Sequence, residues 1–106
     1  MINYTTPTIT LTVEGVDISS FDVYVTLEQG KTELTKNGAD LTITTETVQQ
    51  TTNTIIAFTL SQTESATFDY SRYVNVQVNW FNNGIRNATE IETMEVMRNL
   101  LDRVLE

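Results

Sequence analysis

The 106-residue chain contains no cysteine and no histidine, and it has only one proline and four glycines. Without cysteine it cannot form a disulfide framework, a thiolate nucleophile or a zinc-finger-type site. Without histidine it lacks the commonest metal ligand and the commonest general base at neutral pH. The four glycines are isolated from one another, so there is no glycine-rich loop to bind phosphate. These absences argue against serine–histidine hydrolases and imidazole-bound metals, and we expect no cofactor.

Positive charge is also scarce, with six Lys and Arg residues against 14 Asp and Glu residues and a formal net charge of -8. Nonspecific nucleic-acid binding depends on Lys and Arg, and the six cations are scattered along the chain, so we expect no nucleic-acid partner. Long apolar runs are absent, which predicts no transmembrane helix and no membrane partner. The first seven residues have neither the positive region nor the apolar region of a signal peptide, so we expect synthesis in the cytoplasm.

Threonine is the most abundant residue type, with 20 of the 106 residues. It is β-branched and favours strands, and it keeps the wet face of a sheet polar. A threonine array that binds ice or carbohydrate would need a repeat on a flat sheet, and the chain has no internal repeat. We therefore interpret the threonines as solvent-facing strand positions.

Alternation of apolar and polar residues predicts seven strands, separated by turn signals. They cover residues 8–13, 21–29, 32–36, 41–45, 54–60, 72–81 and 85–97. The second and sixth strands alternate most cleanly and should be central, with Trp80 in the core. This pattern predicts an all-β fold, an antiparallel immunoglobulin-like β-sandwich of about seven strands, as a single domain over residues 1–106 with an N-terminal arm at residues 1–7.

Five local signals refine this arrangement. Asn37-Gly38 predicts a tight hairpin between the third and fourth strands. Asn82-Asn83-Gly84 predicts a tight hairpin turn between the sixth and seventh strands. Residues 46–53 are polar and predict a loop. Ser61 and Glu64 have the spacing of a capping box and predict one helical turn. A break in alternation predicts a bulge near Glu92-Thr93 in the last strand.

The final nine residues change from a strand period to a helix period. Four apolar side chains recur at helical spacing and predict a short amphipathic helix at residues 98–106: Leu100, Leu101, Val104 and Leu105. Large apolar side chains gain from leaving water, so this stripe should dock. It would dock on its own domain or on a neighbouring subunit, and in the second case Leu101 and Leu105 would anchor the interface of a homo-oligomer. The remaining alternative is a frayed tail whose apolar stripe has no partner.

Carboxylates are the only plentiful side chains with catalytic or metal-binding chemistry. Glu90 and Glu92 stand two apart and could form an acid–base pair. Glu14, Asp17 and Asp22 surround the first turn and could hold calcium, although their spacing matches no EF-hand loop. We interpret both groups as solvated charges, because charges on edge strands also discourage edge-to-edge pairing. We therefore predict no catalytic residue and no metal site.

Aromatic residues offer a further alternative, a platform on which sugars stack. The candidates are Trp80, Tyr24, Tyr70, Tyr73 and Phe81. Trp80 shares the valine face of its strand, which favours a core position, whereas Tyr73 and Phe81 lie on the opposite face.

The order of segments along the chain resembles short proteins encoded by prophages of Gram-positive bacteria. The resemblance lies in "DISSFDVYVTLEQG" at residues 17–30, "QVNW" at residues 77–80, "ATEI" at residues 88–91 and "NLL" at residues 99–101. It covers nearly the whole chain and implies a small virion or tail-assembly component, which could associate with the virion after synthesis. None of these segments is catalytic, so the resemblance assigns no functional residue.

Two functions follow from these observations. The first is a non-enzymatic structural or assembly accessory protein of a phage or prophage, which binds protein subunits of its own or another kind. The alternative is a β-sandwich module that binds carbohydrate or a cell surface.

Overall fold

The fold consists of two antiparallel sheets, as the alternating pattern predicts. The computed structural model describes all 106 residues. The elements in chain order are β1 (Thr8–Val13), β2 (Asp22–Gln29), β3 (Thr32–Asn37), a 3-10 turn (Gly38–Asp40), β4 (Thr42–Val48), β5 (Thr51–Thr59), α1 (Gln62–Ala66), β6 (Val74–Asn82), β7 (Ile85–Ala88) and β8 (Glu92–Met94). One sheet has the order β1-β5-β4 and the other β3-β2-β6-β7, with β8 also paired to β6. The all-β, sandwich-like class is thereby confirmed, with eight strands in place of about seven.

A single core lies between the sheets because each of their central strands buries alternate side chains. In β2 the buried apolar residues are Val23, Val25 and Leu27, and in β5 they include Ile56 and Phe58. The connecting segments complete the core with Ile18, Leu41, Leu60, Phe68 and Val96. Burial of apolar side chains from both sheets at one centre is the main stabilisation expected for this architecture.

β2 and β6 occupy the middle of the five-stranded sheet, as the sequence predicts. Their register places Val25 opposite Val78 and Val23 opposite Trp80. Val25 is fully buried, but Trp80 is only half-buried and packs against the margin of the core. Trp80 therefore borders the core that the sequence predicts it to join. Its position two residues beyond Val78 takes it past the last buried residue of the strand.

The strand expected at residues 85–97 is divided into β7 and β8 by one extra residue. Ala88 pairs with Asn79 and Glu92 pairs with Val76, so three residues face two on β6. This is the count of a β-bulge. The break is real but lies before Glu92, where the side chain of Thr89 accepts a hydrogen bond from the Val78 N–H at 3.1 Å.

Asn37-Gly38 does not close a hairpin, because β3 and β4 belong to different sheets. Gly38 has a φ of 57° and begins the 3-10 turn that carries the chain from one sheet to the other. The turn ends with Leu41, which is buried in the core and donates its N–H to the Gly38 carbonyl at 3.1 Å. Burial of Leu41 therefore overrides the local hairpin signal.

Residues 46–53 form strand rather than loop. β4 and β5 continue their pairing to Val48 and Thr51, joined by Gln49 and Gln50. Both glutamines have positive φ, at 50° and 68°. Positive φ at both central residues is typical of the turn that matches strand twist in a two-residue hairpin, although Asn-Gly is its usual sequence.

The capping box is present as predicted. Ser61 accepts a hydrogen bond from the Glu64 N–H at 3.1 Å, and Glu64 Oε1 accepts one from the Ser61 N–H at 2.9 Å. These bonds satisfy donors that the first turn of α1 would otherwise leave unpaired. No helix has the length and apolar character required to cross a membrane.

Each of the four buried polar side chains holds an irregular segment: Asn3, Gln29, Thr54 and Ser65. Thr54 accepts from the Ile18 N–H and donates to the Val16 carbonyl, at 3.0 and 2.8 Å. Gln29 donates to the carbonyls of Asp69 and Arg72 and accepts from the Asp69 N–H. These bonds compensate the cost of burying polar atoms and attach the loops to the sheets.

The expected helix at residues 98–106 is absent, and this expectation is wrong. Nine residues are fewer than the roughly 12–15 that an isolated helix needs. Asn99 also diverts the backbone, since its Oδ1 accepts from the Leu101 N–H at 3.0 Å, and such local bonds compete with helix formation. Its own N–H donates to Asn3 Oδ1 at 3.0 Å, which joins this segment to the N-terminal arm.

The N-terminal arm pairs with the chain that follows β8. Ile2 forms a parallel bridge with Met97. The Asn3 N–H donates to the Met97 carbonyl at 3.1 Å, and the Met97 N–H donates to the Met1 carbonyl at 2.7 Å. Residues from both ends of the sequence are thus adjacent in the fold.

Candidate functional site

Two surfaces bring potential binding residues together, and the first is the segment at residues 98–106. Its four predicted interface side chains are all exposed, at 87% for Leu100, 45% for Leu101, 42% for Val104 and 52% for Leu105. The structure therefore does not bury this apolar group on its own domain. Leu100 and Leu101 are neighbours in the chain, as are Val104 and Leu105, and exposed apolar residues that lie together commonly mark a partner-binding surface.

Side-chain amides hold the backbone of this segment in place. The Leu105 N–H donates to Gln62 Oε1 at 2.8 Å, and Gln62 Nε2 donates back to the Leu105 carbonyl at 2.9 Å. At the other end, Asn99 Nδ2 donates to the Asn3 carbonyl at 3.1 Å. The segment is thus fixed near both ends while its apolar side chains remain partly or largely exposed.

The second surface is a groove on the outer face of the five-stranded sheet. Its volume is about 440 Å³, and its lining residues are Tyr24, Thr26, Thr35, Asn79, Trp80, Phe81 and Arg86. This volume lies within the roughly 300–1,000 Å³ of ordinary small-ligand sites. The pairing of β2, β6 and β7 explains the grouping, because Tyr24 lies opposite Asn79 and Phe81 lies opposite Arg86.

Arg86 is oriented by Asn79, whose Oδ1 accepts from Arg86 Nε at 3.2 Å and from Nη2 at 3.1 Å. The only ion pair in the structure joins Lys36 and Glu64, so the Arg86 guanidinium has no carboxylate partner. A guanidinium has five N–H donors, which leaves three free after the two bonds to Asn79. This arrangement presents an oriented cation beside two partly exposed aromatic rings, Tyr24 and Phe81.

The other aromatic candidates do not join the groove. Tyr70 lies beneath Arg98, with the guanidinium carbon 5.9 Å from the ring centre, a cation–π distance. Tyr73 precedes β6 and is 65% exposed. The five aromatic residues therefore do not form one platform: Tyr24 and Phe81 share the outer face, whereas Trp80 borders the groove but packs against the core.

The acidic candidates do not converge on a cation site. No group of three or more acidic side chains lies close enough to hold a metal ion. Asp17 Oδ1 accepts hydrogen bonds from the Ser19 hydroxyl at 2.6 Å and the Ser19 N–H at 3.0 Å. Glu90 lies in the bulge and Glu92 begins β8, so they are not on one continuous strand.

Three carboxyl groups have lowered pKa values for structural reasons. Hydrogen bonds from the Ser19 side chain and backbone lower the pKa of Asp17. Hydrogen bonds from the Ser71 backbone and side chain lower the pKa of Asp69. Burial raises the pKa of Glu64, but hydrogen bonds and charge from Lys36 and hydrogen bonds from Ser61 outweigh it and lower the pKa. These groups stabilise turns, and none faces the groove.

Sequence reasoning missed the pairing of Arg86 with Asn79. The alternation of β6 already placed Asn79 and Phe81 on one face, and Asn83-Gly84 indicated a hairpin that would return Arg86 beside them. That turn is present, with φ of 51° and 80° at the two residues. The position of β2 beside β6, which adds Tyr24, has no comparable local signal.

Comparison with protein-family models, curated protein sequences and solved structures finds no significant match for the chain.

Proposed function

We propose that the protein is a non-enzymatic structural or assembly subunit of a phage or prophage particle that acts through protein–protein contacts. The observation that supports this function best is the exposed apolar group of the 98–106 segment. Full burial of a Leu or Val side chain contributes about 1.5–3 kcal/mol, so covering these four side chains would favour association. The resemblance to prophage proteins supplies the biological setting and implies an association with the virion.

The partner we propose is a second copy of the chain. Residues 98–106 contain two arginines and two acidic residues, so the whole net charge of -8 lies on residues 1–97. Like-charged bodies repel one another, whereas a neutral segment that carries Arg98 and Arg103 can approach an acidic neighbour without that cost. Contact through this segment is therefore the mode of association with the least electrostatic repulsion between two acidic copies.

We further propose that the scaffold is immunoglobulin-like. The sheet orders β1-β5-β4 and β3-β2-β6-β7 are those obtained when these seven strands take the places of strands B, C, C′, D, E, F and G of that architecture. In this assignment α1 lies between the fifth and sixth strands. The eighth strand then continues the last strand after the bulge.

Light scattering of the full chain over a range of concentrations tests the proposed association. We expect an oligomer that the double substitution Leu101→Ser and Leu105→Ser converts to a monomer whose fold, by circular dichroism, is retained. The control is Asp102→Asn with Glu106→Gln, which changes polar residues of the same segment and should preserve the oligomer. A monomer at every concentration would overturn the second copy as the partner, and an oligomer insensitive to the leucine substitutions would overturn the segment as the interface.

A further inference from the structure

We infer that the outer-face groove is a binding site for a saccharide unit that carries a carboxylate. This activity is separate from the subunit contacts proposed above, because no groove residue belongs to the 98–106 segment. The inference depends on three features of the groove: its oriented cation, its aromatic rings and its uncharged polar side chains.

The positive charge of Arg86 favours a negatively charged ligand. In a chain with 14 acidic residues, Arg86 is held by the neutral amide of Asn79 rather than by a carboxylate. Its full positive charge is therefore still available, and the two bonds reduce the side-chain freedom that would be lost on binding. The planar fork of a guanidinium matches the two oxygens of a carboxylate, so an anionic ligand is favoured.

The aromatic and uncharged polar residues of the groove favour a ligand that contains a hydroxyl-rich ring. Tyr24 and Phe81 are 37% and 42% exposed and offer flat apolar surface to a ring. The hydroxyls of Thr26 and Thr35 are bonded to each other at 3.2 Å and, as hydroxyls, can each still bond to a ligand. Rings beside uncharged hydrogen-bonding groups suit a hydroxyl-rich ring better than an extended acidic peptide, whose backbone would seek an unpaired strand edge rather than a sheet face.

Calorimetry of the full-length chain with trigalacturonic acid and with its methyl ester tests the site. The two probes share their rings and hydroxyls and differ in the carboxylate charge. We expect saturable binding of the acid and at least about 10-fold weaker binding of the ester.

Substitutions then locate the binding. Arg86→Gln should weaken binding of the acid by about 10-fold or more, and Arg86→Lys should restore only part of it because the planar fork is lost. Phe81→Leu should weaken the acid and the ester alike. Lys31→Gln removes one positive charge from the exposed β2–β3 turn, outside the groove, and should leave binding unchanged. Circular dichroism establishes that each variant is folded.

Four results would overturn the inference. One is the absence of saturable binding of the acid up to about 10 mM. Another is equal binding of acid and ester, and a third is no effect of Arg86→Gln in a folded variant. The fourth is tighter binding of the peptide Glu-Leu-Glu than of the sugar acid with the same dependence on Arg86, which would assign the groove to an acidic protein segment.

Discussion

Gln62 at the start of α1 forms a closed pair of hydrogen bonds with the backbone of Leu105, 43 residues away. One amide side chain thereby occupies both polar backbone groups of a residue whose own side chain is half in water. The contact holds the 98–106 segment against the domain without burying its leucines. It determines which side chains a partner would meet.

Gln62→Ala should release this segment without unfolding the domain. Each exposed hydrogen bond contributes about 0.5–1.5 kcal/mol at most, so the loss of global stability should be small. Amide hydrogen exchange at Leu105 should become faster, and proteolysis after Arg103 should become more rapid. Thr63→Ala, an exposed neighbour in α1, should change neither rate. Unchanged exchange in Gln62→Ala would mean that the amide does not hold the segment in solution.

Thr54→Val should destabilise the fold although it preserves the shape of the side chain. The substitution leaves the Ile18 N–H and the Val16 carbonyl without their buried partner, at a cost of about 1–3 kcal/mol. Urea unfolding measures the change. Thr51→Val, at an exposed position of the same strand, should stay within about 0.5 kcal/mol of the parent. Equal stability of the two variants would contradict a structural role for the Thr54 hydroxyl.

Gln50→Gly should stabilise the β4–β5 hairpin. Gln50 has a φ of 68°, a conformation that costs a residue with a Cβ about 1–2 kcal/mol and costs glycine very little. After allowance for the greater freedom of glycine in the unfolded chain, we expect a gain of about 0.5–1 kcal/mol. Gln50→Ala keeps the Cβ and should give no gain. A lower melting temperature for the glycine variant would show that the turn has another conformation.

Phe68→Ala and Trp80→Ala should differ in cost despite removing rings of similar character. Phe68 is 1% exposed and within the core, so its loss should cost about 3–5 kcal/mol. Trp80 is half-buried, and we expect less than about 3 kcal/mol for its loss. Circular dichroism during urea unfolding measures both. A larger loss of stability for Trp80→Ala than for Phe68→Ala would contradict the position of Trp80 at the margin of the core.

Stability should fall as the pH is lowered below about 5. A carboxyl group with a lower pKa in the folded than in the unfolded state contributes stability above the unfolded pKa, and that contribution is lost as the pH falls through the folded pKa. Asp17, Glu64 and Asp69 all belong to this class. Glu64→Gln removes the charge that pairs with Lys36 but keeps an acceptor for the capping box, so its melting temperature should depend less on pH. Equal pH dependence in both proteins would contradict the assignment to Glu64.

Much of the local structure could be predicted from the sequence because its causes lie within a few residues. Alternation places β1 at residues 8–13, the observed bounds, and the spacing of Ser61 and Glu64 places the start of α1. Asn83-Gly84 forms the expected turn because both residues tolerate positive φ. The two apolar stripes that identify β2 and β6 as central strands are also readable one strand at a time.

The distribution of strands between the sheets and the shape of both candidate surfaces depend on residues far apart in the chain. Burial of Leu41 between the sheets, not the Asn37-Gly38 signal, decides where β4 pairs. The 98–106 segment follows its bonds to Gln62 and Asn3 rather than its helical period. Local propensities are worth tenths of a kcal/mol per residue, whereas core burial and the bonds of buried polar groups contribute one to several. Sequence patterns therefore locate most of the strands, and tertiary packing alone brings Tyr24 and Arg86 to one groove.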